Sequence, residues 1–357
     1  MLTALTFALI LTSAVVVHEL AHYLNARSVG VEVRAFSVGI GPIIARKRWR
    51  GTEWRLSLLP LGGYVDLPGM APKVAADGTL SHADEGMATK GLAAKLWVLV
   101  GGVIANYILG SLLLAWAVNL QPSYQEMLTG QPVAVHGSEI AVVAPGSIAK
   151  SLGLSAGDRI VAVNGIAEPT PDQVVNEVRT ADGLVLTVAR NGVTREVTTP
   201  WPPAAVETPL LGVQILGVVD PVPYLEALPQ AAAFGIRIIP DMVKGFVSGF
   251  ASAVRGTENA DVAGPVGMVT MVNQATQVGL APVVLLAAVI NFSLAVFNLL
   301  PIPGLDGGRM LLSTVVALRG RPFRPGQEEQ LHFIGVMAVL ALIVLITFRE
   351  LGALFSS

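Results

Sequence analysis

Two histidines and a glutamate stand at the end of an otherwise uncharged apolar run: His18-Glu19-Leu20-Ala21-His22 follows TALTFALILTSAVVV at 3–17. A helix puts positions i and i+4 on one face, so His18 and His22 can hold one metal ion with Glu19 beside it. Two imidazole ligands and a carboxylate that can take a proton from water are the parts of a zinc hydrolase. Ionisable groups in a membrane-spanning segment are costly and mark function more often than packing. A catalytic zinc takes three protein ligands, so a third must come from elsewhere in the chain. There is no cysteine, which leaves His, Asp or Glu. Asp306, in Asn298-Leu299-Leu300-Pro301-Ile302-Pro303-Gly304-Leu305-Asp306-Gly307-Gly308, is the outstanding candidate. Pro301 and Pro303 rule out continuous helix, and broken helix at membrane depth is tolerated where it lines an enclosed cavity. The break delivers Asp306 to the start of a short helix over 307–318. The plainer role for such an aspartate is a helix N-cap.

Those residues need elements to carry them. Apolar residues make up 53% of the chain and charged residues 13%, against about 25% charged in soluble proteins, so this is a membrane protein with soluble parts. A net charge of −2 gives no reason to expect nucleic acid. Runs at about 2–26 (within a first helix over 1–30), 96–118, 278–300 and 331–348 are each near the length that spans about 30 Å of hydrocarbon. The third carries Asn291, Ser293 and Asn298, so one side of it faces protein. The first lacks a basic leading segment and a small-residue cleavage site before its histidines, which predicts a retained transmembrane helix. Residues 27–95 carry ten Lys/Arg, 119–277 carry eight over more than twice the length, and 309–324 carry four. By the positive-inside rule 27–95 and 309–324 are cytoplasmic, with both termini and 119–277 outside. His18, His22 and Asp306 then share the cytoplasmic side.

Between the spans, 31–66 alternates in the manner of strands, broken at Gly39-Ile40-Gly41-Pro42 and turning at Arg50-Gly51-Thr52, which predicts a hairpin. It is either a plain surface hairpin or an edge strand beside the metal that pairs with an unwound substrate. Residues 67–95 form a cytoplasmic loop, small and turn-rich over 68–90, where His82 reads as solvated. Residues 134–218 predict an α/β domain: strands at 139–143, 160–163, 184–188 and 194–199, helices at 147–152 and 171–179, and tight turns at Asn164-Gly165 and Asn191-Gly192. An amphipathic helix over 228–256, kinked at Pro240, is expected either in the membrane interface or docked on the core.

Pro145-Gly146-Ser147 through Gly153, with Gly157-Asp158-Arg159-Ile160-Val161-Ala162-Val163-Asn164-Gly165, resembles a PDZ domain. On that resemblance Leu211 and Gly212 belong to the peptide-binding loop, in a groove that either accepts an extended peptide or only filters by size. HExxH in the first span, NxxPxPxLDGG in a later one and a PDZ-like insertion between them together resemble the site-2 protease family of intramembrane zinc metalloproteases, in its bacterial single-PDZ form. The resemblance implies a polytopic α-helical membrane protein of about four transmembrane helices, with a membrane-associated β-hairpin and one inserted α/β PDZ domain. It implies Zn2+ held by His18, His22 and Asp306, with Glu19 as catalytic base. It also implies substrate binding by Asn298 and by the hairpin with Gly39 and Gly41. The implied substrate is a transmembrane protein, such as an anti-sigma-type regulator, cut in regulated proteolysis in a bacterial inner membrane. A catalytically silent PDZ-bearing scaffold and a proton-relay transporter are the rival classes. One departure is visible: where many members carry Gly-Pro before the second-span asparagine, this chain has Gly101-Gly102-Val103-Ile104-Ala105-Asn106. That stretch is expected to lie away from the metal ligands.

Overall fold

The computed structural model describes residues 2–70, 73–74, 80–81, 84–132, 134–201, 210–255, 264–324 and 326–356; His82 and part of the 68–90 loop lie outside them. In chain order the elements are α1 (Leu2–Ser28), β1 (Ala35–Trp49), β2 (Thr52–Asp66), β3 (Lys73–Val74), β4 (Leu80–Ser81), α2 (Leu92–Leu120), α3 (Gln125–Thr129) and β5 (Val135–Val143). There follow α4 (Ile148–Ser151), β6 (Arg159–Val163), β7 (Ile166–Ala167), α5 (Pro171–Thr180), β8 (Gly183–Arg190), β9 (Val193–Pro200) and β10 (Val213–Val219). The chain closes with α6 (Tyr224–Arg237), α7 (Ile239–Arg255), α8 (Pro265–Val278), α9 (Leu280–Leu299), α10 (Asp306–Arg319) and α11 (Gln327–Ser356). Contacts divide it into a unit of 1–114, 232–277 and 283–357 and a second unit of 115–231 with 278–282.

Among the described residues four helices are long and apolar enough to cross a membrane: Leu2–Ser28, Leu92–Leu120, Leu280–Leu299 and the Gln327–Gly352 part of α11. Small residues let them approach. Gly110 of α2 sits against the Phe292 ring of α9, and Gly235 of α6 against Phe292 and Tyr107, where an added Cβ would stand 2.5–3.2 Å from its neighbours. Helix α8, which the periodicity does not announce, is tied to α11 by Glu350, whose carboxylate accepts from the amides of Gly264, Val266 and Gly267 at its N-terminus. The single kinked helix expected over 228–256 is two helices, α6 and α7. Pro240 has no amide hydrogen to continue the ladder of α6 and instead falls in the first turn of α7, where that hydrogen would have no partner; Pro229 is accommodated inside α6.

Strands β1 and β2 form the expected hairpin. Arg50 and Gly51, with φ of 49° and 84°, make the two-residue left-handed turn that matches strand twist. The break expected at Gly39–Pro42 is a set of register shifts inside a continuous strand, a bulge rather than an end. Because of it Ala35–Val38 lies between two stretches of β2, Glu53–Leu56 on one side and Gly63–Asp66 on the other. Gly63–Asp66 is thereby an edge. Tyr23, Val31, Val33, Phe36 and Leu67 bury the hairpin root against α1, with Val16, Leu20, Trp54 and Val65 packed around them.

The second unit holds one sheet in the order β10-β5-β6-β8-β9, with β7 beside β6. Its core is Ile140, Leu154, Ile160, Val163, Val174, Leu184, Leu186, Val188 and Trp201. Ser147 caps α4, and Thr170 with Gln173 forms a capping box on α5, so both predicted helices start where their side chains dictate. Asp158 is fully buried and receives Arg190 Nε at 2.5 Å and Arg190 Nη2 at 2.8 Å. That guanidinium holds its carboxyl below the usual range.

Candidate metal centre

Helix α1 presents His18 and His22 on one face, both buried. Their Nε2 atoms stand 3.0 Å apart. Asp306 Oδ2, on the first residue of α10, lies 3.1 Å from His18 Nε2 and 3.2 Å from His22 Nε2. The residue before it, Leu305, takes the N-cap position, so Asp306 is not the cap. Turns closed by the Ile302 amide on the Leu300 carbonyl and the Leu305 amide on the Ile302 carbonyl carry the chain past Pro301 and Pro303 and bring the carboxylate in. Gly307 and Gly308 allow this, since a Cβ on either would run into the carbonyls of Leu299, Leu300 and Ile302.

The donor set suits a small divalent cation. His22 Nδ1 donates to the Val98 carbonyl at 2.8 Å, which fixes its tautomer and leaves Nε2 as a lone pair facing the other two groups. Asp306 Oδ2 is buried and finds no hydrogen-bond donor among the described residues. Electron-pair donors held this closely out of water repel, and a shared cation removes the conflict. Edges of 3.0–3.2 Å match the roughly 3.3 Å between ligands about 2.0–2.1 Å from one tetrahedral zinc. His18, His22 and Asp306 are also the cluster of three metal-binding side chains found among the described residues.

Glu19 faces the same space, and its Oε2 accepts from the Val65 amide at 3.0 Å, on the edge stretch of β2. A cavity of about 420 Å³ opens here, bounded by His18, Glu19, His22, Asn298, Asp306 and Arg309, by Tyr64–Asp66 of β2 and by Leu67 after it. Asn298 thus lines the same cavity as the histidines and Asp306. Gly39 and Gly41 do not line the cavity; they shape the bulge of β1, where a Cβ on Gly39 would stand 2.8 Å from the Leu59 carbonyl. Leu211 and Gly212 line a separate groove of about 400 Å³ in the second unit, between β10 and the Val175–Arg179 side of α5.

One expectation is corrected. Gly101–Asn106 does not lie apart from the metal ligands: a Cβ on Gly102 would stand 2.5–2.7 Å from three atoms of the His18 ring. Val98 and Gly102, one turn apart on α2, back the two imidazoles between them. No residue type announces Val98, whereas Gly102 belongs to the Gly101-Gly102 pair, and paired glycines in an apolar helix signal close approach of another element.

A buried cluster of two histidines and one carboxylate with a glutamate beside it, among helices that can cross a membrane, has the make-up of a membrane metallopeptidase. The comparisons with known proteins agree: residues 6–342 match Peptidase family M50, the site-2 protease family, and the chain belongs to it. It is 35% identical to a protein of Agrobacterium fabrum whose name assigns it provisionally to the zinc metalloproteases, over 98% of this chain and 95% of that one. It is 24% identical to the zinc metalloprotease RasP of Geobacillus kaustophilus over 98% of each chain. A protein of Enterococcus faecalis provisionally named as the protease eep is 26% identical over 99% of this chain and all of its own length. The chain is a zinc metalloprotease of the membrane.

Proposed function

We propose that this protease cuts peptide bonds within transmembrane segments of membrane proteins, in regulated proteolysis that releases a membrane-bound regulator. The observation that carries the reading is the position of the His18–His22–Asp306 cluster: the histidines stand in a helix that can span a bilayer, Asp306 follows closely on a second such helix, and a strand edge with no further strand among the described residues borders the same cavity. His18, His22 and Asp306 would hold the zinc, which when bound polarises the scissile carbonyl and makes a water nucleophilic near neutral pH. Glu19 takes the proton of the attacking water and returns it to the leaving nitrogen. The Val65 amide fixes the carboxylate for both transfers. Asn298, across the cavity, hydrogen-bonds the substrate backbone.

A substrate helix hides its carbonyls in its own hydrogen bonds and must unwind before attack. Gly63–Asp66 supplies an edge on which the freed strand can pair, satisfying groups that lipid cannot. The second unit is read as a PDZ-type domain, with β10 as the edge that an extended peptide extends and Leu211–Gly212 at the head of the groove. Outside the cytoplasm, in a bacterial inner membrane, it would screen substrates for earlier trimming. The silent-scaffold reading gains no support, because all four chemical groups converge.

The test compares wild type with Glu19→Gln on candidate transmembrane substrates in reconstituted membranes. General-base loss should lower cleavage by about 10²–10⁴-fold with zinc content unchanged. Equal cleavage by both proteins sinks the mechanism.

A further inference from the structure

The third ligand arrives on a loop that has no regular structure of its own, and something must hold that loop. Residues 301–305 connect α9 to α10 and lie on one face of α11 formed by His332, Gly335 and Val336, which share a side at spacings of three and four. The fit is close. Gly304 has φ of 100°, and a Cβ there would stand 2.7 Å from Val336 Cγ2, 3.1 Å from the Val336 amide nitrogen and 3.3 Å from the His332 carbonyl. On the other side of the contact, a Cβ on Gly335 would overlap the Pro303 carbonyl. One directional bond crosses this contact: the Gly304 amide donates to His332 Nδ1 at 2.8 Å. His332 is largely buried, with 15% of its side chain exposed, and an accepting Nδ1 places the ring proton on Nε2. Nε2 meets no hydrogen-bond partner among the described residues, and Glu328 Oε1 stands 3.8 Å away. The ring is therefore held by the Gly304 amide itself.

We propose that His332 is a positioning residue for the metal centre: through Gly304 it fixes the loop that delivers Asp306. The inference rests on Asp306 being a zinc ligand. Its Oδ2 sits within 3.2 Å of both imidazoles, two residues beyond Gly304, so slack in the loop passes directly to the ligand. Metal sites tolerate only about 0.2 Å in ligand distance, which makes zinc affinity a sensitive gauge of such slack. Pro301 and Pro303 have no amide hydrogen, and the Ile302 and Leu305 amides close turns within the loop, so among the described residues the Gly304 amide is the loop donor that bonds to another element.

The test uses the full-length protein in detergent, with zinc affinity measured by chelator competition and thermal unfolding followed with and without zinc. His332→Asn keeps an acceptor where Nδ1 stood; His332→Gln moves it to the place of Nε2; His332→Ala removes it. Leaving a buried amide without its acceptor should weaken zinc binding by about tenfold in the Gln and Ala variants. In both, the rise in unfolding temperature produced by zinc should shrink, while Asn stays near wild type. Wild-type affinity in Gln and Ala overturns the proposal. So does equal loss in Asn and Gln, or a lowered unfolding temperature that is the same with and without zinc. Because Asn and Gln form a matched pair, the comparison holds even where Ala does not fold. Asp306→Ala is measured alongside: wild-type zinc binding by that variant would instead overturn the ligand assignment.

Discussion

Replacing Gly102 by alanine adds one methyl group to α2 and aims it at the flat side of a metal ligand. The new Cβ would stand 2.5 Å from His18 Cε1, 2.6 Å from Nδ1 and 2.7 Å from Nε2. Carbon atoms in contact settle at about 3.5–4.0 Å, so the ring must withdraw by about 1 Å. It cannot do so freely, since Nε2 lies 3.0 Å from His22 and 3.1 Å from Asp306. A shift of that size is several times the distance error a metal site accepts. Overpacking of this kind costs about 1–3 kcal/mol, whereas alanine is better than glycine in a helix by about 1 kcal/mol. The zinc-free protein, where His18 can rotate away, should therefore keep nearly wild-type stability. The zinc-loaded protein bears the clash, and zinc affinity should fall by about 10–100-fold, at 1.4 kcal/mol per factor of ten. Chelator competition on purified protein reads the affinity, and cleavage of a transmembrane substrate should fall with it at limiting zinc. Gly101→Ala is the control: its methyl meets the Asn25 amide, which donates to the Trp97 carbonyl, and leaves the histidines alone. Wild-type zinc affinity in Gly102→Ala, or equal losses in the two variants, would refute the reasoning.

Two further outcomes follow from hydrogen bonds outside the ligand set. Val65→Pro removes the amide that holds Glu19, at an edge position where proline is tolerated. Cleavage should drop by about tenfold or more at unchanged zinc content, and unchanged turnover would dismiss the amide as a positioning group. In the second unit Arg190 depresses the Asp158 carboxyl, so the ion pair contributes stability fully above the unfolded value of about 3.9 and loses it as pH falls toward the lower folded value. Hydrogen-exchange protection factors of β6 and β8 in the whole protein, corrected for the intrinsic pH dependence of exchange, should fall below about pH 4 in wild type, and Arg190→Met should flatten that dependence. An identical acid profile in the two would contradict the assignment.

The parts of the fold that depend on local rules were legible in the sequence. The four spans announce themselves by length and apolarity, and α5 starts where its capping residues stand. The turn at Arg50-Gly51 closes the hairpin as its residue types require. The convergence of His18, Glu19, His22 and Asp306 on one cavity was legible because metal chemistry restricts both residue type and spacing. What escaped depends on packing between distant segments. Val98 serves through a backbone carbonyl, which no residue type announces. Gly102 matters for the side chain it lacks, and His332 acts 26 positions from the ligand it positions. The edge on Gly63–Asp66 was hidden for another reason: the bulge at Gly39–Gly41 places Ala35–Val38 between two stretches of one strand, and register is not written in alternation alone.

That edge ties together binding and chemistry. On the proposed reading the edge lies at membrane depth, where lipid cannot satisfy its polar groups, so each needs a partner. One amide already has it, because Val65 donates to Glu19. The proposed base would thus be anchored to the strand proposed to receive the substrate, rather than to the helix of the histidines alone. A segment that stays helical offers no free backbone to this edge, and its carbonyl cannot be brought into line with a carboxylate fixed at Val65. A segment that unwinds pairs along Gly63–Asp66 and enters a site whose acid–base group is already in register with it. Selection among substrates then lies first in the cost of unwinding and only second in side-chain identity.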